Sequence, residues 1–592
     1  MKQPPRSNAY RDAWAGDLRA ERAGDEVRVA GWVHRRRDHG GLIFIDLRDR
    51  SGVVQLVFHP DTSGAAFALA EALRPEHVVS ARGTVVEREE ANVNPNLATG
   101  AIEVQVIDAQ RLAVAETPPF PIDEEVELDE MLRLKHRALD LRREPMQRAL
   151  QLRHDVVQTM RRELDARDFL EIETPILTRS TPEGARDFLV PNRRDPGTWY
   201  ALPQSPQLFK ELLMISGFER YYQIARCFRD EDMRADRQAE FTQLDVEMAF
   251  VEEDDVIETL EAVMHAVFSL ADLGLPEPPW PRMPYDEALL RYGTDRPDLR
   301  FGLEIRDVTD AVRGAQFRVF QSVVDGGGVV RAINAGARDL SRSELEGLNE
   351  VVQRHGGKAV AWVFVEGDGW RSPIAKFFDE ERIAAVNEAV DASEGDLILF
   401  VADAERTAAE ALGGLRVELG ERFGLIPEGE HRILWTVDFP AFEPAEHGWT
   451  AVHHPFTAPL GDLDGDPGAL KARAYDLILD GSELGGGSIR INDPGVQARV
   501  FEIIGMEEDE ARARFGFLLD ALKQGAPPLG GIAFGIDRIV AIMGGYESIR
   551  DVIAFPKTAS GLDPLTGAPA PVDARQLREL ALELKAAKPA TA

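Results

Sequence analysis

Residues 227–250 read CFRDEDMRADRQAEFTQLDVEMAF, the densest run of unusual sequence in the chain. The alternating runs YYQIARCF (221–228) and FTQLDVEMAF (241–250) flank its charged middle, which predicts a β-hairpin with a long polar loop. Arg229 and Glu231 are two positions apart, so on a strand they would share one face. A planar guanidinium can hold an anion bidentately, and a carboxylate can accept a hydrogen bond from an amine. The alternative is a surface hairpin with salt bridges.

A second segment, PPLGGIAFGIDRIVAIM (527–543), places glycines and then Asp537-Arg538 before an apolar helix. Glycine lets a ligand approach the backbone, and a helix N-terminus favours an anion. Arg538 would stand near the helix start, where it could lie against a bound nucleotide. Tight packing between a strand and a helix explains the glycines Gly530, Gly531 and Gly535 equally well.

A third segment begins with apolar residues four positions apart, which predict a helix over 146–167 with one apolar face. They are Leu152, Val156, Met160 and Leu164. The run FLEIETPIL (169–177) follows and predicts a strand interrupted by Pro175. Residues 253–271 predict a long amphipathic helix.

Together, and in their order along the chain, the helix and strand at 146–177, the hairpin at 227–250 and the Gly-rich segment at 527–543 resemble the three signature motifs of the class II aminoacyl-tRNA synthetases. Further stretches are similar to the aspartate–tRNA ligases of that class: STPEGARDF (180–188), QSPQLFK (204–210), HHPFT (453–457) and GSELGGGSIR (481–490). The similarity covers nearly the whole chain. It implies an α+β multidomain fold, with an N-terminal OB-fold β-barrel, a catalytic antiparallel sheet with helices, and the inserted α/β domain of the GAD type that marks bacterial members.

The predicted domain boundaries follow shifts in sequence character. Strand-like runs at 27–58, 77–86 and 101–107 fit a small barrel, most simply an OB-fold. The predicted segments are 1–115 for the OB-fold anticodon-binding domain, 116–145 for a Pro-rich acidic linker, 146–285 for the first part of the catalytic domain, 286–420 for the insert, 421–560 for the second part of the catalytic domain, and 561–592 for a C-terminal extension.

Length and composition set outer bounds on these predictions. A chain of 592 residues, 44% hydrophobic and 29% charged, fits several folded domains. Its one cysteine, Cys227, excludes an intrachain disulfide and a cysteine-rich zinc site, and fits the cytoplasm. The N-terminal stretch has no apolar core typical of a signal peptide, and no run is apolar enough for a membrane span. The net charge of -34 alone argues against a nucleic-acid partner, although a local basic stripe can still bind RNA.

The resemblance implies L-aspartate as the amino-acid substrate. Its desolvated side-chain carboxylate needs cations, which Lys210 and Arg490 would supply. Asp245 and Glu183 suit the substrate ammonium. The other implied contacts are Ser205, Gln207, Arg229, Gln243, His453 and His454. The histidines could report the substrate's charge through their protonation, and a structural or surface role is their alternative.

The implied ATP contacts are Arg229, Asp230, Glu231, Arg237, Gln238, Glu483, Gly535, Ile536, Asp537 and Arg538. Arg229, Glu231 and Arg538 are the implied catalytic residues. Asp476 and Glu483 resemble carboxylates that hold Mg²⁺ on ATP phosphates, with ordinary strand-end acids as the alternative. By resemblance, aspartate attacks the α-phosphate of ATP, and the aspartyl-adenylate then passes its aspartyl group to the terminal ribose of tRNA. Positioning and electrostatics carry this rate, so no enzyme nucleophile is required.

The N-terminal barrel carries a basic and aromatic set that suits single-stranded RNA. Phe44 is a candidate for base stacking, Arg37 for a phosphate or base contact and Gln55 for reading a base edge; by resemblance the ligand is the anticodon loop of tRNA(Asp). The alternative places Phe44 in the core. In this family a histidine at the position of His39 often marks enzymes that also charge tRNA(Asn), whereas a leucine marks restricted ones.

Rival interpretations start from the same residues. An asparagine ligase would leave Lys210 and Arg490 unbalanced, and a lysine ligase would need acids there. A non-catalytic RNA-binding paralogue would be expected to lose Arg229, Glu231 or Arg538, all of which are present. A homodimer is implied by the first motif, although an apolar helix face fits an intrachain core as well.

Overall fold

The computed structural model of the protein describes residues 5–122, 126–180, 184–367 and 369–585. The chain divides into two compact units. One comprises residues 1–151 and 554–570, and the other comprises residues 152–553 and 571–592. No described helix combines the length and the apolar character needed to cross a membrane.

The first unit contains a closed barrel. Its elements are β1 (Glu26–His39), β2 (Leu42–Asp49), β3 (Gly52–Phe58), α1 (Gly64–Ala72), β4 (Val78–Glu87) and β5 (Ile102–Ala113). The strands close in the order β1-β2-β3-β5-β4, with β3 and β5 parallel and the other pairs antiparallel. Alternate side chains such as Val27, Val29, Ile43 and Ile45 fill the interior. This confirms the predicted OB-fold.

The stretch after the barrel is anchored by a buried acid. It contains α2 (Glu130–Lys135) and α3 (Arg137–Asp140). The side chain of Asp140 is fully buried and pairs with Arg133, Arg137 and Arg143. Such a charge is tolerated in the interior only because it is paired and hydrogen-bonded.

The second unit begins with the predicted helix and hairpin. Its first elements are α4 (Glu144–Asp165, which starts in the first unit), β6 (Leu170–Glu171), β7 (Leu189–Pro191), β8 (Trp199–Ala201), α5 (Gln207–Ile215), β9 (Arg220–Phe228), β10 (Glu240–Ala249), α6 (Glu253–Phe268) and β11 (Arg282–Pro284). The antiparallel pair β9–β10 and the helices α4 and α6 confirm the sequence predictions. The strand predicted over 169–177 is wrong beyond Glu171. Pro175 lacks an N–H for a sheet, and the Thr174 N–H donates to the Gln223 side chain at 3.2 Å instead.

The middle of the second unit has a separate sheet. Its elements are α7 (Tyr285–Tyr292), β12 (Ile305–Asp307), α8 (Thr309–Val312), α9 (Arg318–Asp325), β13 (Val329–Ala337), α10 (Arg342–Arg354), β14 (Ala361–Glu366), β15 (Gly369–Arg371), α11 (Glu380–Ala389), β16 (Asp396–Asp403) and α12 (Glu405–Arg422). The strand order is β12-β13-β16-β14-β15, and the pairs are antiparallel. Helices α10 and α12 cover one face, and α8, α9 and α11 cover the other.

The chain then completes the main sheet. The remaining elements are β17 (Ile433–Val437), β18 (Phe442–Pro444), β19 (Trp449–Ala451), β20 (Pro459–Leu460), β21 (Lys471–Ala472), β22 (Ala474–Leu479), β23 (Ser482–Ile489), α13 (Pro494–Ile503), α14 (Glu508–Leu522), β24 (Leu529–Gly535), α15 (Ile536–Gly544) and α16 (Ala574–Glu579). The main sheet runs β11-β17-β22-β23-β24-β10-β9-β6, and its central pairs are antiparallel. Strand β24 and helix α15 lie beside the hairpin, so the segments from 227–250 and 527–543 meet.

Candidate active site

The main sheet and helix α5 contribute to a cavity of about 570 Å³. Strand β10 runs between β9 and β24, and β23 and β22 follow beyond β24, so residues far apart in sequence reach one place. The predicted site residues that line this cavity are Ser205, Gln207, Lys210, Arg229, Gln243, Asp245, His453, His454, Asp476, Glu483 and Arg490.

A cluster of buried paired charges joins these elements. Lys210 Nζ lies 2.7 Å from Asp245 Oδ1 and 3.1 Å from Glu247 Oε2. Arg490 donates from Nε and Nη2 to the two oxygens of Glu247, at 2.9 and 3.1 Å. All four side chains are 3% exposed or less. Each member depends on its partners, because removing one leaves an uncompensated buried charge.

Glu247 is a site residue that the sequence interpretation missed. Gln243, Asp245 and Glu247 alternate along β10, so the strand period puts all three on one face. This signal was present in the sequence. The sequence interpretation treated Lys210 and Arg490 as two cations that await a substrate carboxylate. The structure shows that Asp245 and Glu247 already balance their charges before any substrate binds.

The glycines of β24 have two different explanations. A Cβ added at Gly531 would lie 2.1 Å from Glu247 Oε2, so this glycine makes room for the buried acid. The packing alternative therefore holds at this position. At Gly535 the nearest atoms to an added Cβ are 3.8 Å away, which leaves space beside the backbone.

Asp245 and Gln243 present polar groups toward the cavity. Burial raises the pKa of Asp245, and the Lys210 ammonium opposes that shift. Asp245 Oδ2 is buried and receives no hydrogen bond from the described residues. Gln243 accepts a hydrogen bond from the Cys227 thiol at 3.3 Å. An oxygen of Asp245 is thus available to accept from a ligand.

Glu211 is a second buried acid that sequence reasoning missed. It accepts a hydrogen bond from Gln207 Nε2, one helical turn earlier on α5, at 2.6 Å. Burial raises the pKa of Glu211 to about 8, against the opposing effect of Arg490. At neutral pH this carboxyl therefore keeps its proton and adds no charge to the cluster.

His453 and His454 lie in the cavity wall, so a surface position is excluded. Burial lowers the pKa of His453 to about 4, and burial with the nearby Arg490 holds the pKa of His454 well below its usual value. Arg490 Nη1 lies 2.9 Å from His454 Nε2. His453 packs edge-on against Phe439, with ring centroids 4.7 Å apart. Its Nε2 is buried and finds no hydrogen-bond partner among the described residues.

Asp476 and Glu483 come from the neighbouring strands β22 and β23. Burial raises the pKa of Asp476 well above its usual value, and the Glu483 carboxylate raises it further. Asp476 Oδ1 is buried and receives no hydrogen bond from the part of the chain that the structure describes. Two close carboxylates with an unsatisfied oxygen fit Mg²⁺, which takes few protein carboxylates and completes its shell with phosphate and water. No cluster of three or more acid, histidine or cysteine ligands occurs among the described residues.

The hairpin loop separates two residues that the sequence interpretation paired. Strand β9 ends at Phe228, so strand alternation does not put Arg229 and Glu231 on one face, and that argument is wrong. Arg229 lines the cavity, with its guanidinium carbon 5.1 Å from the centre of the Phe241 ring. Glu231 instead lies 3.5 Å from Arg237 in an exposed ion pair.

Arg538 lies in the first turn of α15, as predicted. Its guanidinium donates to the backbone oxygen of Glu483 and lies 3.8 Å from Asp236. These three residues line a second cavity of about 370 Å³. Glu483 lines both cavities, so the two lie next to each other.

The other predicted nucleotide contacts lie outside the lining of the larger cavity. Asp537 is buried, pairs with Arg153 and accepts from the Thr242 N–H at 2.9 Å, so its carboxylate is occupied by the fold. The residues outside that lining are Asp230, Glu231, Arg237, Gln238, Gly535, Ile536, Asp537 and Arg538. Glu183 lies outside the described residues.

The barrel brings its predicted residues onto one outer face. Arg37 is opposite Phe44 in the β1–β2 register, and Asp46 is opposite Gln55 between β2 and β3. Arg37 Nη2 donates to Asp46 at 2.8 Å and to Gln55 at 3.1 Å, and Gln55 donates to Glu103 at 3.1 Å. Phe44 is half-buried and does not belong to the barrel core, so the core alternative fails. Sequence reasoning missed Asp46 and Glu103.

Comparison with known proteins agrees with this arrangement. A family model described as tRNA synthetases class II (D, K and N) matches residues 129–559, and one described as an OB-fold nucleic acid binding domain matches residues 27–110. The aspartate–tRNA(Asp/Asn) ligase of Syntrophomonas wolfei is 53% identical over 578 residues, which are 96% of this chain and 99% of that protein. The Bacillus subtilis enzyme of the same name is 52% identical, with 97% and 99% covered.

A solved structure shows the same fold at greater distance. It is the asparaginyl-tRNA synthetase of Pyrococcus horikoshii complexed with asparaginyl-adenylate, with a TM-score of 0.60 and 21% identity. It covers 93% of this chain and 99% of its own. The family model and the two relatives, each covering most of the chain, identify the family. The chain belongs to the aspartate–tRNA ligases, within the class II tRNA synthetase family.

Proposed function

We propose that this protein attaches L-aspartate to tRNA(Asp) in two ATP-dependent steps, through an aspartyl-adenylate. The proposal rests on one observation. Lys210, Asp245 and Arg490 line the same cavity as Arg229 and the Asp476–Glu483 pair. It combines a site for a charged amino acid with cationic and acidic groups suited to a nucleotide and its metal.

The charges of the buried cluster favour aspartate over its rivals. Lys210, Arg490, Asp245 and Glu247 sum to zero, and Glu211 is protonated at neutral pH. Apart from the reacting α-carboxylate, aspartate brings one ammonium and one carboxylate, which keeps the sum at zero. Asparagine would leave one net positive charge in a buried site and lysine two, and both cost desolvation energy.

Each end of the substrate has a partner in the cavity. The buried Oδ2 of Asp245 accepts from the substrate ammonium. Lys210 and Arg490 receive the side-chain carboxylate, and the neutral His454 beside Arg490 supplies an adjoining polar wall. Ser205, Gln207, Gln243 and His453 complete the contacts, with Glu183 at a position outside the described residues.

The first step joins the α-carboxylate to the α-phosphate of ATP. Arg229, held over the Phe241 ring, stabilises charge that develops on that phosphate. Arg538, with Glu231 and Arg237 on the hairpin loop, holds the rest of the nucleotide. Asp476 and Glu483 would hold Mg²⁺, and the bound ion would supply neutralisation of charge on the pyrophosphate.

The second step involves the tRNA at both units of the chain. Its terminal ribose hydroxyl accepts the aspartyl group, while Phe44, Arg37 and Gln55 on the barrel bind the anticodon loop. We extend the substrate range to tRNA(Asn). The exposed His39 at the end of β1, with relatives named aspartate–tRNA(Asp/Asn) ligases, supports this extension.

We also propose a homodimer formed through the surface around Pro175. Large apolar side chains are exposed there: Leu170, Ile176 and Leu177 are each at least 42% exposed. Neighbouring exposed apolar side chains of this kind mark an interaction surface. Sedimentation of the purified protein tests this state.

ATP–pyrophosphate exchange tests the amino acid, and charging assays test the tRNA. We expect exchange with aspartate and none with asparagine or lysine.

Arg490→Lys keeps a counterion for Glu247 but removes Nη1, so it should abolish most aspartate-dependent exchange while the protein stays folded. Exchange that required asparagine would overturn the amino-acid assignment. If the wild-type protein does not aspartylate tRNA(Asn), its tRNA range is tRNA(Asp) alone. We expect His39→Leu to lose the charging of tRNA(Asn) and to keep that of tRNA(Asp).

A further inference from the structure

We propose that Arg406, on helix α12 of the inserted segment, is a positioning residue for the loop that carries His453 and His454. This inference rests on the proposed aspartate site. It gives the insert a part in amino-acid binding, through a contact between α12 and the β18–β19 hairpin.

The insert forms part of the wall of the aspartate cavity. Leu289 of α7 and Arg406 and Glu410 of α12 line it, next to Tyr285 at the boundary of the insert and Glu443 of β18 outside it. This side of the cavity lies on the elements that precede and end the separate sheet of residues 305–403. The inserted segment therefore contributes directly to the surface of the site.

Arg406 bridges two acids across this wall. Its Nε lies 2.7 Å from Glu410, one turn along α12, and its Nη1 lies 2.6 Å from Glu443. Glu443 lies on β18, which pairs with β19. In this pair Phe442 of β18 is opposite Ala451 of β19. Strand β19 ends two residues before His453, so the Arg406–Glu443 contact fixes the hairpin from which the histidines emerge.

A chain of aromatic contacts reaches the same histidine from α7. Tyr285 and Phe439 have ring centroids 5.3 Å apart, and Phe439 and His453 have centroids 4.7 Å apart. Helix α7 packs against α12. The loop thus receives support from α12 at Glu443 and from α7 at His453.

The small contribution of the Arg406 ion pairs to stability determines which effect we expect from breaking them. Arg406, Glu410 and Glu443 are about half to one-third exposed, and such ion pairs contribute little to the stability of a fold. Losing them should leave the protein folded and allow the hairpin to move. Small displacements of binding groups weaken substrate contacts strongly. The effect should therefore appear in aspartate binding and leave ATP binding unchanged.

A double-mutant cycle tests the proposal. We expect Arg406→Ala and Glu443→Ala each to raise the KM for aspartate in ATP–pyrophosphate exchange by about three- to tenfold. The KM for ATP and the melting temperature should stay unchanged. Because both variants break one contact, the double variant should be no worse than the poorer single variant. Arg406→Lys should recover most of the aspartate affinity.

The matched control is Arg342→Ala, which breaks an exposed ion pair with Glu346 on α10, away from the cavity. It should leave both KM values unchanged. An unchanged aspartate KM in Arg406→Ala, or additive effects in the cycle, would overturn the positioning role. Failure of the proposed function is distinguishable, since the wild-type protein would then show no aspartate-dependent exchange at all.

Discussion

At the scale of single residues, the buried acid Glu247 joins the two cations of the proposed amino-acid site. It contacts both Lys210 and Arg490, and no other described acid pairs with Arg490. We expect Glu247→Gln to lower aspartate-dependent exchange on the order of 100-fold, or about 2.7 kcal/mol. It should also lower the free energy of unfolding by about 3 kcal/mol, because two buried cations lose a counterion. Exchange kinetics and urea unfolding measure the two effects.

The matched control is Glu240→Gln on the same strand. Glu240 pairs with Arg226 at the surface, where an ion pair contributes little. This variant should resemble the wild-type protein in both assays. Equal effects at the two positions would show that Glu247 has no special part in the site.

The protonated carboxyl of Glu211 makes a pH prediction. Its pKa of about 8 in the folded protein exceeds the ordinary value of 4.5. Between about pH 4.5 and 8 the folded state therefore keeps a proton that the unfolded chain has lost, and this contribution to stability falls as pH rises. Glu211→Gln cannot ionise and keeps an acceptor for Gln207. Its stability relative to the wild-type protein should rise steadily from about pH 5 to about pH 8.

Unfolding by urea at several pH values measures that difference. Glu258→Gln, at an exposed position on α6, serves as the control and should show no trend. A stability difference for Glu211→Gln that is constant with pH would mean that Glu211 is ionised in the folded protein.

Glycines within helices provide a prediction at the scale of elements. Gly347 lies inside α10, and an added Cβ there would meet no atom within 4 Å. Gly347→Ala should raise the free energy of unfolding by about 0.5–1 kcal/mol, because alanine loses less backbone entropy on folding. The contrasting variant is Gly413→Ala on α12, where the added Cβ would lie 2.7 Å from the Gly293 backbone oxygen. Thermal unfolding should separate them, with Gly413→Ala destabilised.

Elements differed in how well their sequence predicted them. Periodicity predicted the barrel strands, the hairpin and the helices α4 and α6, because each buries a regular stripe of apolar residues. It overextended the strand after α4, since a proline and a side-chain hydrogen bond end the pairing at Glu171. Periodicity did not predict which charged side chains pair with one another, and the reason is different. Whether Lys210 meets a substrate or Glu247 depends on how helix α5 packs against β10, which the pattern of one strand does not contain.

At the scale of the whole molecule, the residues proposed to bind RNA and those proposed to bind aspartate lie in different units. The barrel face of Arg37, Phe44 and Gln55 belongs to one unit, and the cavity proposed to bind aspartate belongs to the other. We expect Phe44→Ala to raise the KM for tRNA in charging by about 10- to 100-fold, the value of one lost base stack. ATP–pyrophosphate exchange should be unchanged, because that reaction uses only the cavity.

The control for this prediction is Tyr10→Ala, which removes an exposed aromatic side chain from the same unit but not from the barrel strands. It should leave charging intact. Phe44 lies outside the barrel core, so its removal should also leave the melting temperature near that of the wild-type protein. If exchange fell together with charging, the variant would be damaged in folding, and if charging were unchanged, the anticodon loop would not stack on Phe44. A selective loss of charging is the one outcome that assigns RNA binding to this face of an otherwise acidic protein.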